Sequence, residues 1–153
     1  MNHVAIRELH AGETHLGWLA MSALRKHLPE EPEFVKRVDG VQRREGYRLV
    51  GAFDGSDPQA AAAAGFRTLH SLSWGFALYC DDLSTRPEFR RRGYAGQLLD
   101  WMIAEAKRLG CEAFHLDSGV GIDRQDAHRL YFNKRMRIYA YHFEVGLKSS
   151  LAR

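Results

Sequence analysis

"RPEFRRRGYAGQLL", residues 86–99, sets four arginines beside two glycines and then runs into leucines. Alone it reads equally well as a solvated basic turn, a nucleic-acid contact or a cradle for a phosphorylated ligand. Its neighbours decide. Upstream, "GFALYCDDLST" (75–85) reads as a strand, apolar first and acidic in its middle. Downstream, Leu98, Leu99, Met102, Ile103, Ala106 and Leu109 recur at steps of one, three and four, the spacing of an amphipathic helix, and Gly110 stands where a C-terminal cap belongs. The basic turn therefore opens a helix. A helix N-terminus presents unpaired N–H groups and the positive end of the macrodipole, and glycines let that backbone approach an anion closely. Gly93 and Gly96 sit at this start, and Arg90, Arg91 and Arg92 can add charge-assisted contacts to phosphate oxygens. No Lys-Ser/Thr pair follows and a third glycine is missing, which argues against nucleoside triphosphate and dinucleotide sites.

The bulk properties leave this site local. The chain has 153 residues, 45% of them hydrophobic and 27% charged, enough for one domain with its own core. A net charge of +3 is mild, and the acidic residues are interspersed, so no whole-surface field for nucleic acid arises. Single-strand binding would also need aromatics interleaved with the arginines, and only Phe89 and Tyr94 are near. No apolar run reaches the roughly 20 residues of a membrane helix. The start "MNHVAIRELHAGE" lacks the pattern of a secretory signal. Cys80 and Cys111 have no metal-like spacing and read as reduced, buried thiols. These features predict a cytoplasmic protein with neither nucleic acid, membrane nor metal as partner.

Along the chain, "HVAIREL" (3–9) alternates as a strand. Leu16, Ala20, Ala23, Leu24 and Leu28 fall at helical spacing over 13–28, stopped by Pro29, and "PEFVKRVDGVQRR" (32–44) reads as a second helix. "YRLVGAFDG" (47–55) is a strand ending in an Asp-Gly turn. The alanine-rich 60–74 favours helix by propensity, but its place between strands makes it a strand. "CEAFHLDSG" (111–119) reads as a strand, "DRQDAHRLYFNKR" (123–135) as a helix capped by Asp123, and "IYAYHFEVGL" (138–147) as a closing strand. The order predicts a single domain over 1–153 of mixed α/β class, a mixed sheet flanked by helices.

The segment "DDLSTRPEFRRRGYAGQLLDWMIAEAKRLGCEAFHLDSGV" (81–120) resembles the cofactor-binding core of the GNAT superfamily of acetyl-CoA-dependent N-acetyltransferases. "LSTRPEF" stands for the family's L-x-V-x-P segment. Arg90-Arg91-Arg92-Gly93-Tyr94-Ala95 stands for its Q/R-x-x-G-x-G/A turn, and Ala127-His128-Arg129-Leu130-Tyr131 for its A-x-x-L-Y pattern. The resemblance implies a central mixed sheet with a splayed strand pair that holds CoA. It implies that Leu83, Ser84 and Thr85 line the pantetheine arm, with main-chain bonds at Leu83 and Thr85. It implies that the backbone from Arg91 through Arg92, Gly93, Tyr94 and Ala95 to Gly96 holds the pyrophosphate. Arg90, Arg91 or a basic residue near Lys134 would then reach the 3′-phosphate.

Acyl transfer to an amine needs a neutral amine, donors for the developing oxyanion and a proton for the departing thiolate. The resemblance makes Tyr131 the acid and places the oxyanion donor on the strand near Asp82 or Leu83. For the base, Asp81, Asp82, Asp117, His128 and His142 are the candidates, with Asp82 and His142 favoured and His142 the first to mutate after Tyr131. Each is, taken singly, more often structural. Two departures stand out: Arg124 replaces a frequent family Asn, and Arg135-Met136 a frequent Gly-Phe. The expected reaction moves an acetyl group from acetyl-CoA to a primary amine of a small molecule or protein in a ternary complex, with no metal. The acceptor would be lined by residues 13–45, which include Trp18, Phe34 and Glu30, Glu31 and Glu33. The resemblance is compatible with a homodimer. The competing reading is a non-catalytic acyl-CoA-binding regulatory module of the same fold.

Overall fold

A computed structural model describes residues 4–148, so His3 of the first expected strand lies outside the described residues. The chain forms two compact units, Met1–Leu116 and Asp117–Arg153. In the first, five strands form one sheet in the order β1-β2-β3-β4-β5. These are β1 (Ala5–Leu9), β2 (Arg48–Phe53), β3 (Ala62–Ser71), β4 (Gly75–Thr85) and β5 (Ala113–Leu116). β1 to β4 are antiparallel neighbours, and β5 joins β4 in parallel, so the sheet is mixed as expected. A parallel neighbour needs a crossover, and the helix α3 (Tyr94–Leu109) supplies it.

The expected first helix is divided into a 3₁₀ turn, Thr14–Gly17, and α1 (Trp18–Leu24); the second is α2 (Glu31–Gly40) followed by a 3₁₀ turn, Gln42–Glu45. Side chains alternate across a sheet, and this separates two cores. Leu9, Leu49 and Ala63 pack with Ala20 and Met21 of α1, Phe34 and Val38 of α2, and Tyr47, the residue before β2. On the other face Phe66 meets Trp101, above the fully buried Leu98, Leu99 and Met102 of α3. The alanine run becomes the start of β3 because it is sandwiched. Ala60 to Ala64 are each at most 1% exposed, and Cβ-only side chains let both layers come close. Here tertiary burial overrides helix propensity.

The second unit holds a 3₁₀ turn, Ile122–Arg124, and α4 (Gln125–Asn133). Asp123 falls inside that turn, and the cap position passes to Arg124 with no side-chain cap bond, which corrects the expected Asp123 cap. Residues 138–147 are not a strand. Their period-2 pattern is real, but no ladder pairs them among the described residues, and Tyr141, Phe143, Val145 and Leu147 are exposed. Alternation selects a face; only a hydrogen-bonded neighbour makes a strand.

Candidate functional site

β4 pairs with β3 along its whole length, but the register shifts: Gly65 faces Asp82 while Phe66 faces Cys80. Asp81 is therefore an inserted residue, a β-bulge, and the bulge brings two successive carboxylates towards groups on the α1–α2 side. Asp82 Oδ1 accepts from Arg25 Nε at 2.7 Å and Oδ2 from the Tyr47 hydroxyl at 2.9 Å. Arg25 Nη2 also donates to the Asp81 carbonyl at 3.0 Å. Asp81 itself accepts a forked pair from Arg67, at 2.9 and 2.6 Å. Burial outweighs that guanidinium and raises the Asp81 carboxyl above its usual range. Burial, and then the Asp82 charge, push the Tyr47 phenol well above its ordinary value. Cys80 donates its thiol to the Asp82 carbonyl at 3.3 Å, and burial holds that thiol protonated.

The pairing of β5 with β4 runs only from Ala77 to Cys80. Among the described residues, β4 beyond Cys80 has β3 as its sole strand neighbour. Its other edge, carrying Leu83, Ser84 and Thr85, leads into the basic turn.

In that turn the arginines divide. Arg86 is buried at 8% exposure, paired with Asp57 at 2.9 Å and Glu88 at 2.7 Å, and stacked on Phe89. It builds the turn. Phe89 and Tyr94 meet edge to face, the Tyr94 hydroxyl donates to Asp54 at 3.4 Å, and Arg92 covers Phe89. Arg90, Arg91 and Arg92 are exposed. Arg91 and Gly93 both adopt the left-handed conformation, with φ of +62° and +84°. Gly93 caps α3 without a side-chain hydrogen bond. The first N–H groups of α3, at Tyr94, Ala95 and Gly96, have no acceptor within the helix. A 16-residue helix thus begins with no side-chain cap, just after three exposed arginines in the chain, which suits a phosphate.

In the second unit Tyr131 lies half-buried on α4, and its carbonyl accepts from the N–H groups of Lys134 and Met136. Arg135 takes φ of +61°, so the turn that a glycine would fill is made by an arginine. His128 Nε2 lies 3.1 Å from Ser118 Oγ and 2.8 Å from the Gly119 carbonyl. His142 Nδ1 lies 2.8 Å from Asp117 Oδ2, which joins two of the base candidates in one exposed pair. His142 stands in an irregular segment, not on a strand.

Sequence reasoning missed Tyr47, Arg25 and Gly65. Gly65 was the available signal, since a glycine inside a strand pattern marks a bulge or a close approach. A Cβ there would fall on the Tyr47 hydroxyl. On the proposed acceptor side, Phe34 is a core residue tilted against Trp18, and Glu33 pairs with Arg37.

Comparison with known proteins bears on the fold and the family. The family model described as Acetyltransferase (GNAT) family matches residues 13–136. An uncharacterized N-acetyltransferase, YhdJ of Bacillus subtilis (strain 168), is 32% identical over 114 residues, 74% of this chain and 77% of that protein. Among solved structures, a transcriptional regulator from Bacillus halodurans C-125 has a TM-score of 0.77 at 23% identity, covering 95% of this chain and all of that one. A predicted acetyltransferase with acetyl-CoA from Clostridium acetobutylicum has a TM-score of 0.71 at 16% identity, over 95% and 97% of the two chains. The structural neighbours share the fold, and the family match spans the strand, turn and helix described above: the chain belongs to the GNAT acetyltransferase family.

Proposed function

We propose that residues 1–153 work as one N-acetyltransferase domain that moves an acetyl group from acetyl-CoA to a primary amine by direct attack in a ternary complex. The observation that carries this reading is the start of α3, which no side chain caps, preceded in the chain by the exposed Arg90, Arg91 and Arg92 and by the half-open strand β4. The backbone of residues 91–96 would hold the pyrophosphate, Arg90, Arg91 or Lys134 the 3′-phosphate, and the free edge at Leu83, Ser84 and Thr85 the pantetheine arm. When bound, CoA supplies the activated thioester. A backbone N–H near Asp82 or Leu83 would stabilise charge on the acyl oxygen. Tyr131 would give its phenolic proton to the leaving sulfur, and His142, backed by Asp117, would take the proton of the amine. Asp82 adds a carboxylate beside the reacting centre. Its oxygens already accept from Arg25 and Tyr47, which puts it behind His142 as a base. No described helix is long and apolar enough to cross a membrane.

The test is a melting curve with acetyl-CoA. At a hundredfold excess over Kd, about 2.7 kcal/mol of linkage raises Tm by about 5–10 °C for a chain of this size. Thiol release with an amine panel then separates an enzyme from a CoA-binding regulatory module. Tyr131→Phe should lower kcat about 100-fold and leave the acetyl-CoA shift in place. A full kcat in that variant would remove Tyr131 as the acid, and the absence of any shift with acetyl-CoA would sink the reading.

A further inference from the structure

We infer that Tyr47 and Arg25, acting through Asp82, are positioning residues that fix the course of β4 beyond its bulge; this rests on the assignment of residues 82–85 to the acyl donor.

A bulge breaks the repeat of a ladder, so the strand can leave it in more than one direction unless other contacts choose. β5 makes no choice here, because its pairing ends at Cys80. β3 carries the pairing on from Asp82 to Thr85, and contacts from outside the sheet add to it just where the ladder is interrupted. Arg25 follows α1 as its C-terminal cap residue and holds two successive residues at once, the Asp81 carbonyl and the Asp82 carboxylate. Tyr47 reaches the other Asp82 oxygen from the residue before β2, and its ring is 3% exposed. Its hydroxyl occupies the volume that Gly65 leaves empty on β3, directly across from Asp82. The Asp82 carbonyl is held in turn by Cys80. Backbone and side chain of Asp82 are thus tied to α1, to the start of β2 and to β4 itself.

Packing alone does not require this arrangement. A phenylalanine at 47 would fill the same core, and a neutral residue at 82 would spare a part-buried charge. A fully satisfied polar network instead selects one geometry, because any displaced conformation leaves a carboxylate unpaired. The geometry selected here is that of the main chain at 82–85. An error of about 1 Å in placing a reacting group costs about 100-fold in rate, so a small relaxation of this stretch would be visible in turnover.

The experiment uses full-length protein and acetyl-CoA labelled with ¹³C at the thioester carbonyl. The bound resonance is recorded for wild type, Tyr47→Phe, Arg25→Lys and Asp82→Asn, with Tm, Kd for CoA, kcat and KM measured alongside. The expected result is a bound carbonyl resonance that moves back towards its free position in all three variants while Kd changes by no more than about threefold. The corresponding kcat falls by about tenfold or more with little change in KM. The double variant Tyr47→Phe/Asp82→Asn should be no slower than the worse single, since both remove one contact. Arg25→Lys keeps the test open if the buried Tyr47 change prevents folding, because Arg25 lies at a helix end with its side chain 38% exposed. An unmoved resonance with wild-type kcat in folded variants overturns the inference, as do losses that multiply in the double variant. If wild type itself gives no acetyl-CoA shift in Tm, the acetyltransferase reading fails and takes this inference with it.

Discussion

Gly65 and Gly93 show two different reasons for a glycine. At Gly93 there is room for a side chain, with Gln97 Nε2 the nearest atom at 3.9 Å, but φ is +84°. Alanine there suffers the left-handed penalty of roughly 1–2 kcal/mol. At Gly65 the difficulty is space, because the Tyr47 hydroxyl sits where a Cβ would be. Gly65→Ala must push a buried ring off Asp82, and such overpacking costs about 1–3 kcal/mol. Urea denaturation should find both variants less stable. Only Gly93→Ala, on the proposed phosphate turn, should also reduce the Tm gain from acetyl-CoA while Tyr47 stays in place. A Gly65→Ala variant as stable as wild type would show that Tyr47 moves aside freely.

Among the elements, α3 was legible from the sequence because its signals are local. Its apolar spacing, the glycines at its start and Gly110 at φ of +81° all lie within one 18-residue window. Burial bears the pattern out, with Leu98, Leu99 and Met102 fully enclosed. Leu99→Ala should therefore cost about 3 kcal/mol in thermal or chemical unfolding, and a loss below about 1 kcal/mol would mean that the site collapses around the deletion. β4 was legible to its last residue, Thr85. Its bulge was not, because an inserted residue is defined by the neighbouring strand. The segment 138–147 failed in the opposite way: alternation along one chain is a necessary condition for a half-buried strand, and the partner that would complete it lies outside the pattern.

For the molecule as a whole, acid stability should reside largely in the tie between α3 and the first two strands. Arg48 on β2 holds Glu8 of β1 through two bonds of 2.7 Å and reaches Glu105 of α3 at 2.8 Å. Arg108 holds Glu105 from the next turn at 2.6 Å. The hydrogen bonds from Arg108 and then Arg48 pull the Glu105 carboxyl from an ordinary 4.5 to about 2, and Arg48 lowers Glu8 as well. A depressed carboxyl contributes stability above its unfolded pKa and loses it as pH falls to the folded value. Tm should accordingly hold above pH 5 and decline between about 4.5 and 2. Glu105→Gln should flatten that decline, and an unchanged profile in the variant would move the acid sensitivity elsewhere.

The amino-acid sequence by itself determined the strand–turn–helix from 75 to 110, the mixed α/β class and the family likeness. Each rests on residues close in the chain, where propensity, periodicity and capping act directly. The basic turn also showed its glycines in sequence, but not that Arg86 is spent on Asp57 and Glu88 while Arg90 to Arg92 stay exposed. Only the tertiary structure decided what surrounds Asp82. Tyr47 and Arg25 lie 35 and 57 residues away along the chain, and no local rule links them. They meet because β2 pairs with β3 and α1 packs on β4, which places their donors over one bulge. The physical reason is the range of the forces: backbone preferences act between neighbours, whereas a buried carboxylate is satisfied by whatever the completed fold brings within hydrogen-bonding distance.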